Sequence, residues 1–425
     1  MPYVRKKKRN HRSDHKRVAN MDPLSPCSEV ELENNEDTEP VIQYGKASQI
    51  KKGEDFILVK PKCLHLHGDQ SLTYAVFAVL DGHNGSTAAT FVMDNLFEEV
   101  FNSMASDLSE DEWLTALPQA LNTGFVRTNE NFRNQGQPSG TTVTFVVVQG
   151  WTVTIASVGD SRCILVSQGN EVSTLTVDHR FESNEEERDR VIKKGIDLCR
   201  LRIPDGSEVG PLRCFPGGLC LSRSIGDFDV GDFILPIPHV KQIKLSRAGG
   251  RFIIASDGVW DSISCEKAAK CCRGLSPKDA AWKIVRTSVK KRGLRDDTTC
   301  LVVDVTPSYS NLQSVFWATS ETKGNLNSCF PWWKSKDSSA NVATIPSSPS
   351  IEELFEYDSV RHLEQLSSDP SSYTFICALC ETKISLNDLI TVHAGSFFSM
   401  HNRALEGSFF CRSCKPTENS NVGEY

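Results

Sequence analysis

One apolar, β-type stretch of this sequence runs directly into three residues that can do chemistry. It reads YAVFAVLDGHNG over residues 74–85, so a carboxylate, a bare backbone and an imidazole follow one another at Asp81, Gly82 and His83. For any single Asp-Gly pair an ordinary explanation stays open, because Asp and Gly both favour the turns that end strands.

The same arrangement recurs at other predicted strand ends, where acidic residues follow or precede an apolar run. With Asp81, these acidic residues are Glu54, Asp55, Asp160, Asp257, Asp261, Asp296 and Asp297. Carboxylates grouped at one edge of a core repel each other and raise one another's pKa values. Divalent cations remove that penalty, and oxygen ligands suit Mg²⁺ or Mn²⁺. The pattern therefore predicts a site for such ions, and a two-metal site can activate water against a phosphate ester.

His83 lies directly beside this predicted cluster. An imidazole titrates near neutral pH and suits a general acid or base. The alternative is a histidine that only makes a hydrogen bond near the start of a helix.

Strands and helices must both contribute to the positioning of these residues. Strands rich in Val, Ile, Phe and Thr are predicted over 73–80, 141–148, 152–158, 163–167, 251–256 and 299–305. Helices are predicted after Asn184, after Ser276, and where Ala88, Val92, Leu96 and Val100 repeat at helical spacing. Consecutive strands with helices before and after them predict an α+β layered sandwich.

Composition divides the 425 residues into five segments. We predict a disordered charged tail over 1–40, a globular domain over 41–306, a linker rich in Ser and Pro over 307–370, a compact cysteine-bearing module over 371–416 and a short tail over 417–425. The formal net charge of −7 argues against a binder of polyanions for the chain as a whole.

Neither secretion nor a membrane span is indicated. The basic residues Arg5–Arg9 lack the apolar region that a secretory signal needs, and no apolar run reaches about 18 residues. We expect a cytoplasmic or nuclear protein with no membrane partner, in which the fifteen cysteines are mostly reduced and tight clusters bind metal. The basic run is either a nuclear address or a solvated end.

Eight motifs follow one another in the globular segment. They are GEDF, VLDGHNG, SGTTVTF, ASVGDSR, VDHR, LSRSIGD, ASDGVWD and RDDTTCLVV. In these motifs and their order the sequence resembles the protein phosphatase 2C family of metal-dependent serine/threonine phosphatases, and in particular its plant-type members. The resemblance implies an α+β, four-layer sandwich of two antiparallel β-sheets flanked by α-helices. It also implies hydrolysis of phosphoserine and phosphothreonine in protein substrates by a hydroxide that bridges two Mg²⁺ or Mn²⁺ ions.

The resemblance assigns roles to residues at matching positions. Asp81 matches the carboxylate that bridges the two ions, and Gly82 matches the glycine whose carbonyl binds one of them. Asp257 and Asp296 match further metal ligands. His83 resembles the family's proposed general acid, which protonates the departing serine or threonine oxygen.

Other matches concern additional ions. Glu54 and Asp55 match the acidic pair that holds the second ion directly or through waters. Asp160 and Asp261 match residues that, together with Asp257, hold a weaker third ion in some relatives.

Two positions depart from the family pattern. Where many relatives have an arginine that binds substrate phosphate, this sequence has Ile50, followed by Lys51 and Lys52. Lysine offers a point charge instead of a bidentate fork, so these lysines are candidate phosphate ligands. The last motif has Asp297 where the family usually has Asn, and the added charge could tighten metal binding or repel the substrate phosphate.

Two CxxC pairs in the last segment predict a zinc-ribbon-like module. They supply Cys377, Cys380, Cys411 and Cys414, a pattern typical of tetrahedral Zn²⁺ sites. His393 and His401 could replace a thiolate, and reduced cysteines packed in a small core are the alternative. We expect such a module to bind a protein partner, since Lys and Arg are too sparse there to argue for nucleic acid.

Two functions of different kinds follow from these features. The first is an active metal-dependent phosphatase. The second is a catalytically weak pseudophosphatase or adaptor that binds partners through the C-terminal zinc module. Hydrolysis of a phosphopeptide with and without manganese separates them.

Overall fold

The computed structural model describes residues 39–67, 70–204, 206–308 and 351–357, and four two-residue strands between 375 and 410. Nearly all of the predicted N-terminal tail and the four cysteines of the predicted zinc module lie outside the described residues. Within the described part of the chain, no helix is both long and apolar enough to span a bilayer.

A seven-stranded antiparallel sheet forms one half of the core. Numbered along the chain, its strands are β2 (Asp55–His67), β3 (Gln70–His83), β4 (Gly140–Gln149), β5 (Thr152–Val158), β10 (Ile225–Gly226), β11 (His239–Leu245) and β14 (Ile351–Tyr357). They are ordered β14–β11–β5–β4–β3–β2, and β10 pairs with β4. Strand β14 lies within the segment that we predicted as linker, so that part of the segment is structured.

A five-stranded sheet forms the other half. Its strands are β1 (Val41–Gln49), β6 (Arg162–Ser167), β7 (Val172–Thr174), β12 (Gly250–Ala255) and β13 (Thr298–Thr306), in the order β1–β13–β12–β6–β7. Every pairing in both sheets is antiparallel, as the sequence predicted.

Six helices are present in the described residues. They are α1 (Thr87–Phe101), α2 (Glu110–Arg133), α3 (Glu185–Lys193), α4 (Asp257–Trp260), α5 (Cys265–Cys272) and α6 (Pro277–Arg292). The predicted helix starts are confirmed: Asn184 Oδ1 accepts from the amide of Glu187 at 3.0 Å, and Ser276 caps α6 ahead of Pro277. Each cap satisfies an amide that the first helical turn leaves free.

Alternation along β3 shows how the layers stack. Val76 and Leu80 face one way and pack with α1 and α2, whereas Phe77 and Val79 face the second sheet. Successive strand residues point to opposite faces, so a strand apolar on both faces must be covered on both. Helices α5 and α6 cover the outer face of the five-stranded sheet. The result is the predicted order of helices, sheet, sheet and helices.

The remaining strands form small hairpins. β8 (Asp197–Arg202) and β9 (Glu208–Phe215) pair in the region between α3 and β10. In the C-terminal segment β15 (Phe375–Ile376) pairs with β16 (Lys383–Ile384), and β17 (Ile390–Thr391) pairs with β18 (Phe409–Phe410).

Candidate active site

Antiparallel pairing places the start of β2 beside the end of β3. Asp55 lies opposite Asp81 in this register, and the amide of Gly82 donates to the carbonyl oxygen of Glu54 at 3.1 Å. The predicted acidic pair and the predicted bridging carboxylate therefore meet, although about 26 residues separate them in sequence.

The second sheet supplies acids at the facing edge. Asp257 begins α4 directly after β12, and Asp296 precedes β13, which pairs with β12. The amide of Asp257 donates to Asp81 Oδ2 at 3.3 Å. This contact joins the ends of the two sheets at one acidic cluster.

Three carboxylates of the cluster are close enough to share a metal ion. One oxygen each from Asp81, Asp160 and Asp257 lies within 4.8 Å of the other two. Burial, and then the charges of Asp55, Asp257 and Asp160, hold the pKa of Asp81 well above its usual range. Burial and the charge of Asp160 raise the pKa of Asp257 to about 8. Such crowding disfavours the ionised state until a cation enters.

Asp55 has one carboxylate oxygen that remains available to a cation. Ser256 Oγ donates to its Oδ2 at 2.8 Å, but its Oδ1 is buried and has no hydrogen-bond partner. Burial raises the pKa of this carboxyl to about 6, even though the hydrogen bond from Ser256 lowers it. A buried acceptor without a donor is costly, and a divalent cation would satisfy it. The donor set on this side of the cluster therefore fits Mg²⁺ or Mn²⁺.

Gly82 and Glu54 complete this side. A Cβ atom added to Gly82 would lie 2.7 Å from the carbonyl oxygen of Glu54, so only glycine allows the two strands to approach this closely. Glu54 Oε1 accepts from the amide of Gly85 at 2.7 Å, which fixes its carboxylate beside the turn after β3.

Asp297, the departure from the family pattern, anchors the loop that carries the acidic pair. Its two carboxylate oxygens accept from five consecutive backbone amides, those of Lys51, Lys52, Gly53, Glu54 and Asp55. Burial opposes ionisation, but these hydrogen bonds lower the pKa of Asp297. Both oxygens of the Asp297 carboxylate are therefore occupied by hydrogen bonds from backbone amides.

His83 is held by a buried partner. Its Nε2 lies 2.8 Å from Asp227 Oδ2, and Ser224 Oγ donates to the same oxygen at 2.5 Å. Burial alone would lower the pKa of His83, but the hydrogen bond and charge of Asp227 raise it. A Cβ atom on Gly140 would lie 2.1 Å from Asp227 Oδ2, so the glycine of the SGTT motif makes room for this partner.

Arg180 binds the three acids that the resemblance assigned to a third ion. Its Nη2 donates to Asp257 Oδ2 and its Nη1 to Asp261 Oδ1, each at 2.6 Å, while its Nε donates to Asp160 Oδ2. These acids do not form an open ligand set, so the residues present do not fit a third metal ion.

A cleft of about 680 Å³ opens above the cluster. Lys52 lines it and donates to Asp296 Oδ2 at 2.8 Å. Lys51 does not line it, and its ammonium instead donates to the carbonyl of Arg295. Of the two predicted phosphate ligands, only Lys52 is therefore placed at the cleft.

Three cleft-lining cations were missed in the sequence analysis: Arg180, Arg213 and Arg292. Arg180 belongs to the quoted VDHR motif, but nothing local marks its target, because its three acids are 20 to 81 residues away. Arg213 comes from the β8–β9 hairpin and Arg292 from the end of α6, and only the fold brings them here.

Comparison with known proteins gives one consistent family. A family model described as protein phosphatase 2C matches residues 47–296. A probable protein phosphatase 2C 12 of Arabidopsis thaliana is 48% identical over 407 residues, which are 95% of each chain. A probable protein phosphatase 2C 33 of Oryza sativa subsp. japonica is 46% identical and covers 95% of this chain and 94% of its own.

Among solved structures, one titled as a C. elegans sex determining protein superposes with a TM-score of 0.51. It is 21% identical and covers 62% of this chain and 64% of that chain. At this identity the similarity supports the fold alone.

Proposed function

Since the chain belongs to the plant-type protein phosphatase 2C family and is a metal-dependent serine/threonine protein phosphatase, we propose that it hydrolyses its phosphoprotein substrates with two Mg²⁺ or Mn²⁺ ions held at the acidic cluster. The observation that carries this proposal is the meeting of Asp81 and Asp257 within 4.8 Å at the floor of a cleft, where Asp55 keeps a buried oxygen without a hydrogen-bond partner.

We centre the metal ligands on Asp55 and Asp81, which form no ion pair among the described residues, whereas Asp257 pairs with Arg180 and Asp296 with Lys52. The ions would be held by Asp81, Asp55, Glu54, Asp257 and Asp296, together with the carbonyl of Gly82. The buried, unpaired Oδ1 of Asp55 supports this assignment. When bound, the ions would lower the pKa of a water between them and neutralise charge on the phosphoryl group.

The chain's own part in the reaction is to supply and hold a proton. His83 lines the cleft beside Asp81, and Asp227 stabilises its protonated form. In an in-line displacement the departing serine or threonine oxygen needs a proton, which His83 Nδ1 can give because Nε2 is hydrogen-bonded to Asp227. Asp227 orients the ring, so we assign it as a positioning residue.

We propose that the substrate phosphate enters past the basic rim of the cleft. Lys52 and Arg292 are half exposed and line this opening. Both are near Asp296 or Asp261, so their charges are balanced until a phosphate dianion arrives. Lys52 and Arg292 would bind the substrate phosphate in place of the arginine that many relatives have at the position of Ile50.

A phosphopeptide assay with and without Mn²⁺ tests the proposed function. We expect turnover that requires Mn²⁺ or Mg²⁺ and falls by at least about 10²-fold in Asp257→Asn, because one metal ligand is weakened. Asp232→Asn is the matched control, since Asp232 is exposed and pairs only with Arg133 among the described contacts. Turnover that ignores both the metal and the Asp257 substitution would sink the proposal, and absent turnover would favour the adaptor.

The zinc module stays a separate prediction from the CxxC spacing. We propose one Zn²⁺ at Cys377, Cys380, Cys411 and Cys414, with a protein-binding role for the segment. The zinc content of the purified full chain should fall from one ion to none in Cys411→Ser. A wild-type chain purified without zinc, and unable to take it up, would rule the module out.

A further inference from the structure

Arg180 pairs with three carboxylates of the acidic cluster at once. Each of its three guanidinium nitrogens donates to a different carboxylate: Nε to Asp160, Nη1 to Asp261 and Nη2 to Asp257. The side chain is only 23% exposed and Asp160 is 6% exposed. A planar guanidinium matches several carboxylates at once, which a lysine ammonium does not.

The backbone of Arg180 is also fixed. Its amide donates to Asp178 Oδ1 at 2.9 Å, and the residue forms an isolated β-bridge with Leu221. The three acids come from different places, the turn after β5 and the two ends of α4. Arg180 therefore acts as a cross-link between elements that would otherwise repel each other.

Charges on the two sides of the cluster are unequal. The side with Asp160, Asp257 and Asp261 holds Arg180, and Arg292 Nη1 lies 3.3 Å from Asp261 Oδ2. Among the described residues, neither Asp55 nor Asp81 forms an ion pair with a basic side chain, and Asp55 keeps an unpaired oxygen. On the other side Lys52 pairs with Asp296 and Glu54 but leaves Asp55 and Asp81 without a cation. Cations from solvent are therefore attracted to Asp55 and Asp81 and repelled from the acids that Arg180 binds.

We infer that Arg180 is a built-in cation that takes the place of a third metal ion in this chain. A dication between Asp160, Asp257 and Asp261 would have to displace three charge-assisted hydrogen bonds and meet a second arginine. The remaining oxygen of Asp257 stays available to the ions beside Asp81. This inference rests on the proposed two-metal function and adds that the acidic cluster is limited to two ions.

Calorimetric titration of the full chain with Mn²⁺ tests this count. We expect Arg180→Met to bind one more Mn²⁺ per chain than the wild type, more weakly than the others, because three carboxylates lose their cation. Adding Asp261→Asn to that variant should remove the extra ion, while Asp261→Asn alone should leave the wild-type count unchanged. Arg162→Met is the matched control, since Arg162 is also half-buried and pairs with a carboxylate, Asp178, outside the trio.

Thermal unfolding at increasing Mn²⁺ concentrations tests the inference even if Arg180→Met does not fold without metal. Without Arg180 the acid trio should depend on metal, so Mn²⁺ should restore folding or raise the midpoint more than in the wild type. An equal count in Arg180→Met and the wild type, a wild type that binds three ions, or a variant that Mn²⁺ does not rescue would each overturn the inference. Failure of the proposed function looks different: the wild type would then bind no Mn²⁺ at the cluster or show no turnover.

Discussion

His83 and Asp227 form the residue-scale unit from which proton transfer is expected. His83 lies at the end of β3. Asp227 has a φ of 54°, a left-handed backbone conformation that aspartate adopts more readily than most residues. Because Asp227 is buried and is held by Ser224, it cannot turn away from the imidazole.

We predict that His83→Gln lowers kcat for a phosphoserine peptide by about 10²–10⁴-fold. The loss for an aryl phosphate should be much smaller, because a phenolate leaves without a proton. Asp227→Asn should show the same selectivity with a smaller loss. Equal losses on both substrates would mean that His83 holds the structure and does not donate a proton.

Asp297 holds the loop that carries Glu54 and Asp55, a role that its residue type and position in the sequence do not reveal. A single carboxylate accepts hydrogen bonds from five amides of the loop 51–55 and so places Glu54 and Asp55. We predict that Asp297→Ala lowers the free energy of unfolding by about 2–4 kcal/mol, as expected for losing several hydrogen bonds to a charged acceptor.

The Asp297→Ala variant should also bind Mn²⁺ more weakly, because the loop that presents the acidic pair becomes mobile. Asp297→Asn keeps one acceptor oxygen and should lose less. Urea unfolding without metal and a Mn²⁺ titration measure the two effects, with Asp232→Ala as the exposed control. If Ala and Asn behave alike and near wild type, the hydrogen bonds contribute little.

At the scale of elements, β14 extends the fold beyond the segment that the family model matches. It pairs with the edge strand β11, where Lys241 Nζ lies 2.6 Å from Glu353 Oε1 and buried His239 Nε2 lies 3.1 Å from Glu356 Oε1. Phe355 packs on the cluster between sheet and helices. An open sheet edge invites pairing with other chains, and β14 covers it.

We predict that Phe355→Pro detaches β14 without affecting turnover of a small substrate, since β14 does not line the cleft. Proline removes an amide and restricts the backbone of a strand. Amide exchange in β11 should become easier by about 1–3 kcal/mol, the value expected for two backbone hydrogen bonds. Leu354→Ala, on the same strand but exposed, should leave exchange as it was. Unchanged protection of β11 in the proline variant would contradict this.

For the whole molecule, Glu187 ties α3 to the rest of the domain through a fully buried ion triad. Arg223 Nη2 donates to its Oε1 at 2.5 Å and Arg190 Nη2 to its Oε2 at 2.7 Å. Burial favours the neutral acid, but the two arginines hold the pKa of Glu187 well below its ordinary value of 4.5. The triad is therefore stable only while the carboxylate is ionised.

We predict that Glu187→Gln destabilises the fold by about 3–5 kcal/mol, because two buried arginines lose the carboxylate of Glu187. Since the folded-state pKa lies below the unfolded one, wild-type stabilisation is complete above about pH 4.5 and is lost as pH falls towards the folded pKa. The difference between wild type and variant should thus shrink in acid. Denaturant unfolding across pH measures it, with exposed Glu185→Gln as control. A difference that is independent of pH would show that Glu187 is not the titrating group.

Sequence alone predicted six strands and three helices at their observed positions, because local periodicity or caps determine each of them, but it did not predict β1, β11, α2 or α5. The alternation in β3, the Asn184 cap and the Ser276-Pro277 start are all read from neighbouring residues. It missed β14, since a short acidic strand within a Ser-rich and Pro-rich segment has no local signature and gains stability only from the edge of β11.

What the sequence determined by itself was the family, the layered α+β fold and the set of acids at strand ends, because these follow from residue types and their order. Only the tertiary structure decided how those acids divide: Asp55 and Asp81 on a side open to cations, Asp160 and Asp261 bound to Arg180, and Asp297 committed to the backbone. The physical reason is that a carboxylate's partner is set by distance in space, and antiparallel pairing of remote strands creates those distances.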